Sequence, residues 1–224
     1  MSAISYNDAV PEVQNYVANG STANFNNGQG RLITAYLFTR EEIYNLIQSS
    51  SSSKVFVIMA LSFDDAANAH YLNPILSQVV NDEINTSNLI KTSEEPYTDT
   101  ITFDTNPTTN PNGDPVGAEG FQEMQTNYVE GKVANPLLTD GQKINGYNFT
   151  ATALGNLGLS TQPTSGNKND LFAFVPIIRP VDNENPNACL SFALAQFSNG
   201  VLTGNVEDFA SPCPNDCNNY HQTF

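Results

Sequence analysis

Apolar residues recur at helical spacing near the start of the chain, at Ala9, Val10, Val13, Tyr16 and Val17. Ser5-Tyr6-Asn7-Asp8 reads as a capping box ahead of them, with Ser5 at the N-cap and Asp8 at the third helical position. Gly20 supplies a stop, so the spacing predicts a helix over 6–19. Pro11 falls near the first turn, where a missing N–H does less harm. Residues 20–30 read as a loop and 32–38 as a short strand. Thr39-Arg40-Glu41-Glu42 repeats the capping box, and Phe38 and Ile43 stand where a hydrophobic staple would place them. Ile43, Leu46 and Ile47 form the stripe of a helix over 40–48, which the serine run Ser49 to Ser53 ends.

Val55 to Leu61 is apolar at every position, which predicts a central strand covered on both faces. Asp64 to Ala69 reads as a turn. Asn73-Pro74 then looks like an N-cap and first helical residue. Leu72, Ile75, Leu76, Val79, Val80 and Ile84 follow as the apolar stripe of a third helix. From Asn85 to Gly120 the signal weakens. Tyr97 to Phe103 alternates as a half-exposed strand, and Asp104 to Gly117 is an irregular loop rich in Pro, Asn and Gly. Phe121, Met124, Tyr128 and Val129, between Gly120 and Gly131, predict a fourth, shorter helix. Asp140-Gly141 and Asn145-Gly146 are turn dipeptides, Tyr147 to Leu154 alternates as a strand, and 155–169 is loop.

The last third predicts a hairpin of Leu171–Arg179 and Ala188–Phe197 around a polar turn, with Pro176 pushing its strand toward an edge or bulge. Leu190, Phe192 and Leu194 share one face of the second strand, and Cys189, Ser191, Ala193 and Ala195 the other. Helices come early and strands late, without βαβ alternation. The expected fold is α+β, a mainly antiparallel sheet packed by the N-terminal and central helices, in one domain over 1–224. Residues 85–170 read as a loop-rich enlargement and 205–224 as a cysteine-bearing tail.

Composition narrows the function classes. The formal charge is −15 with only 8 Lys and Arg, too few for a phosphate-binding surface, so neither nucleic acid nor anionic lipid is an expected partner. The first residues hold no basic stretch followed by an apolar one, and no long apolar run follows. The expectation is therefore a soluble, cytoplasmic protein without membrane insertion, compatible with release by a signal-independent route.

Reactive side chains concentrate in the tail, where Cys213, Cys217 and His221 are spaced four and four. On a helix they would face one side, and Cys189 would complete a Cys₃His tetrahedron for zinc. The spacing is not the usual knuckle, and Pro212 and Pro214 favour an extended entry. A Cys213–Cys217 disulfide and a pinned tail of unreacted thiols are the alternatives. Asp64, Asp65 and His70, on the turn after the central strand, are a second candidate cluster, of hydrolase type, unless they merely cap the next element. Asp104, Asn106, Asn110, Asn112 and Asp114 make an oxygen-rich loop that lacks EF-hand spacing. No dinucleotide fingerprint, nucleophile elbow, Walker A or H-E-x-x-H motif occurs.

Phe38-Thr39-Arg40-Glu41, the strand Val55 to Leu61 and the ending Asp208 to Cys217 (Asp-Phe-x-x-Pro-Cys-Pro-x-x-Cys) resemble features shared by a group of small bacterial proteins. The resemblance covers about the first 60 residues and the last 50, and implies no activity. In that pattern the two cysteines recur and His221 does not. The expectation from the whole sequence is a non-catalytic binding or assembly protein, with a zinc-stapled module and a hydrolase-type enzyme as alternatives, and no assured cofactor.

Overall fold

The computed structural model describes residues 3–19, 25–47, 54–65, 68–80, 83–92, 95–103, 118–131, 138–139, 142–179, 189–207 and 211–213. Both capping boxes form. Strand β1 (Ala3–Ile4) leads into helix α1 (Tyr6–Asn19), where the Asp8 N–H donates to Ser5 Oγ at 3.2 Å and Ser5 Oγ donates to Asp8 Oδ2 at 2.6 Å. Strand β2 (Tyr36–Thr39) runs into helix α2 (Arg40–Ile47). There the Thr39 N–H donates to Glu42 Oε2 at 2.8 Å, and the Glu42 N–H returns a bond to Thr39 Oγ1. Phe38 and Ile43 are both buried, as the staple requires.

Two antiparallel sheets follow. The first takes in β3 (Lys54–Ile58), β6 (Ile75–Val80), β7 (Glu83–Lys91), β11 (Gly146–Phe149) and β15 (Ser211–Cys213), in the order β1-β7-β6-β3-β11-β15. The second has β12 (Leu171–Arg179), β13 (Cys189–Ser198), β14 (Val201–Glu207) and the short parallel β8 (Thr102–Phe103), in the order β2-β12-β13-β14-β8. Two small ribbons stand apart from them. These are β4 (Leu61–Asp64) with β5 (Ala69–Leu72), and β9 (Leu138–Thr139) with β10 (Gln142–Lys143).

The strand alternation sorts the core into three layers. Val55, Val57, Leu76, Tyr147 and Phe149 of the first sheet meet Tyr36, Phe38, Phe174, Leu190, Phe192 and Leu194 of the second. Edge-to-face aromatic pairs fasten this seam: Phe149 lies 5.3 Å from Phe174 and Tyr147 lies 5.2 Å from Phe192. On the outside of the first sheet, Phe56, Ile58, Ile75 and Val79 pack against Ala9 and Val13 of α1. On the outside of the second, Ala173, Val175, Ala193 and Ala195 pack with Phe121 and Met124 of α3 (Ala118–Val129). The result is a four-layer α+β sandwich, with helix α2 at its seam.

The β12–β13 hairpin, helix α3 and the buried centre at β3 agree with the sequence expectation. Pro176 opposes Phe192 on one side. On the other, the pairing of β12 with β2 has ended at Phe174, so the proline lies where its strand is an edge. Five expectations are corrected. The described residues of 72–84 form no helix: Leu72 ends β5, Ile75–Val80 is β6, and Glu83 and Ile84 open β7. The run Val55 to Leu61 is not one strand, because β3 stops at Ile58 and Leu61 opens β4. Asp64 and Ala69 are paired strand residues at a hairpin end. The stretch 147–154 changes type at Thr150, whose hydroxyl accepts from the Ala153 N–H at 3.2 Å and starts helix α4 (Ala151–Asn156). Of 97–103, only Thr102 and Phe103 form a strand, and Tyr97 makes an isolated bridge to Ala35.

Candidate functional site

Beside the outer face of the first sheet, α1, the β4–β5 ribbon and the end of β7 converge on one hydroxyl. Glu12 lies in the inward stripe of α1, between Ala9 and Tyr16, so its carboxylate points at the body of the protein. Ser62 follows the first residue of β4. Tyr71 opposes it on β5, Asn73 follows β5, and Lys91 ends β7. Lys91 Nζ donates to Glu12 Oε1 at 2.6 Å and to Ser62 Oγ at 2.9 Å. Asn73 Nδ2 donates to the same Ser62 oxygen at 3.1 Å, and the Ser62 hydroxyl donates to Glu12 Oε1 at 3.2 Å. A serine hydroxyl offers one donor and two acceptors, and Glu12, Lys91, Asn73 and the neighbouring Tyr71 hydroxyl share them.

The cluster is largely dry. Ser62 is 4% and Asn73 2% exposed, while the Glu12 and Lys91 side chains keep about a fifth of their surface. Two of its acceptor atoms, Glu12 Oε2 and Asn73 Oδ1, are buried without a hydrogen-bond partner. Tyr71 closes one side; burial pushes its hydroxyl up from the ordinary tyrosine range, against hydrogen bonds from Ser62 and Asn73 that act the other way. Chemically this is an amine, a carboxylate and a carboxamide held around one oxygen.

The Asp64, Asp65 and His70 candidates do not converge. His70 pairs with Phe63 across the ribbon, so the pleat turns His70 and Phe63 to one face and Asp64, Ser62 and Tyr71 to the other. The His70 ring packs 5.0 Å from Phe63. The Asp64 carboxylate lies against Gly28, where a Cβ would overlap Oδ2 at 1.5 Å, so a side chain at that position requires the carboxylate to swing away. Asp65 is exposed beyond the strand end.

Cys189 is buried at the start of β13. Cys213 ends β15, in register with Gly146 of β11. Cys217 and His221 lie outside the described residues, as does the oxygen-rich loop at 104–114. Among the described residues no three His, Cys, Asp or Glu side chains are grouped to hold a metal ion, and no helix is long and apolar enough to cross a membrane.

The sequence did carry two signals for the observed cluster. Glu12 interrupts an otherwise apolar stripe, and Lys91 is one of only 8 basic residues. Nothing local joins them, because their meeting depends on a sheet whose partners are far apart in sequence. Compared with known protein families, curated proteins and solved structures, the chain matches none.

Proposed function

We propose that this chain is a non-catalytic binding or assembly protein whose contact surface is the β4–β5 ribbon. The observation that supports this reading is Phe63. It is 48% exposed on a two-stranded ribbon that pairs with neither large sheet, and it rests on the His70 ring. An aromatic side chain held in place before contact loses little conformational freedom on binding, which is what makes such residues effective anchors. The ribbon is also firmly rooted, through Ser62 to α1 and β7 and through the Asn73 N–H to the Ala60 carbonyl at 3.0 Å. The partner is a protein surface or a second copy. Light scattering on the size-exclusion eluate over a range of concentrations, with pull-downs, tests it. Association that Phe63→Ser abolishes is the expected result. A strict monomer without interactors overturns the reading.

A second reading keeps the C-terminal cysteines as a zinc clasp of Cys189, Cys213, Cys217 and His221. Of the four, Cys189 is buried at the start of β13, and Cys213 ends β15 in register with Gly146. Elemental analysis of protein purified without added metal, beside Cys213→Ser/Cys217→Ser, is expected to find zinc in the first alone. Equal, negligible zinc in both removes this reading.

A further inference from the structure

The cluster around Ser62 has a chemistry of its own, independent of any partner. Lys91 Nζ and the Asn73 carboxamide are hydrogen-bonded to the same hydroxyl oxygen, and the Lys91 amine is at the same time 2.6 Å from a carboxylate. We propose that Lys91 and Asn73 become joined by a side-chain amide bond in the folded chain, with Glu12 relaying the protons and ammonia leaving.

Each step has its group. Glu12 Oε1 takes one proton from the Lys91 ammonium, which frees the nitrogen lone pair. Nζ then attacks Cγ of Asn73. The proton that Nζ sheds as the new bond forms passes by way of Glu12 to Nδ2; the Cγ–Nδ2 bond breaks, and ammonia departs. The first proton leaves with it as ammonium, and Glu12 is again a carboxylate. A primary amine and a primary amide become a secondary amide, with no change of oxidation state.

Three observations favour this exchange over a static ion pair. The reactants are held by one oxygen, which replaces a bimolecular encounter by a short side-chain movement. The two partnerless acceptors, Glu12 Oε2 and Asn73 Oδ1, belong to the two groups that need a proton between them. A proton on Glu12 removes one of these unpaired acceptors and makes the group an acid for the departing nitrogen. Burial of Asn73 keeps water from the carbonyl under attack. The bond also has a structural place: Lys91 is in register with Ile75 at the open end of the β6–β7 hairpin, and Asn73 lies two residues before Ile75, so the amide closes that end.

Intact-mass spectrometry of the purified full chain under denaturing conditions tests the proposal without any knowledge of function. The wild type is expected to be lighter than its sequence by one ammonia, and a protease digest to contain a branched peptide joining residues 73 and 91. Lys91→Arg and Asn73→Ala are expected at full mass, Asn73→Asp to form the same link with loss of water, and Glu12→Gln to slow the reaction at least about 100-fold. Wild-type protein that stays at full mass after prolonged incubation overturns the proposal. So does an ammonia loss that persists in Lys91→Arg, which would be cyclisation of an asparagine instead. Linkage in Glu12→Gln at the wild-type rate removes the role given to Glu12.

Discussion

Tyr147 shows how much one side chain contributes here. It is fully buried, its ring meets Phe192 edge to face, and its hydroxyl donates to the Leu190 carbonyl at 2.7 Å. The alternation of β11 foretells the inward ring, but not the hydroxyl's partner, which lies on the other sheet. Tyr147→Phe keeps the packing and removes the bond to the buried carbonyl, so the expected loss is about 1–3 kcal/mol of unfolding free energy. Urea unfolding with an unchanged slope measures it; a loss below about 0.5 kcal/mol contradicts the bond. Ser62 has the same legibility. Nothing beside it in sequence marks it as a hub, because Glu12, Asn73 and Lys91 reach it from three different elements.

Among elements, those specified by local chemistry are the ones the sequence announces. The capping boxes of α1 and α2 need only four consecutive residues, and both form as read. The β12–β13 pair is equally plain, since two long apolar runs flank a short polar turn. The hairpin β6–β7 misleads for a physical reason. Leu72, Ile75, Leu76, Val79 and Val80 do stand at helical spacing, and Ser77 and Gln78 occupy what would be the wet side of that helix. In the fold both are buried and bonded, Ser77 Oγ to the Asn85 carbonyl at 3.1 Å and Gln78 Nε2 to the Ile47 carbonyl at 3.5 Å. A polar residue satisfied inside the protein looks the same in sequence as one facing water. The β-branched content at Ile75, Val79, Val80 and Ile84 was the better guide. For the same reason Asn73, which reads as a helix cap, instead lends its side chain to the cluster at Ser62.

At the scale of the whole molecule, the α+β class was readable but the layering was not, because it depends on which distant strands become neighbours. Tyrosines fasten those layers. Tyr16 donates to the Ile144 carbonyl, Tyr36 to Leu72 at 2.7 Å, Tyr128 to Ile33 at 2.8 Å and Tyr147 to Leu190. Burial raises the pKa of all four above the ordinary value of 10.0, with neighbouring tyrosines adding to the effect at Tyr36 and Tyr147. Since the folded values lie above the unfolded ones, the contribution of these phenols to stability is complete below pH 10. It is lost as pH rises from there, because the unfolded chain sheds protons that the native state retains. Each such group removes up to about 1.4 kcal/mol per pH unit, and a domain has only about 5–15 kcal/mol to lose. The expected outcome is a cooperative alkaline unfolding within about two units above pH 10, with tyrosinate absorbance from these four residues rising together with the loss of circular dichroism. Full tyrosinate titration near pH 10 with the fold intact would show that these hydroxyls are not held between the layers.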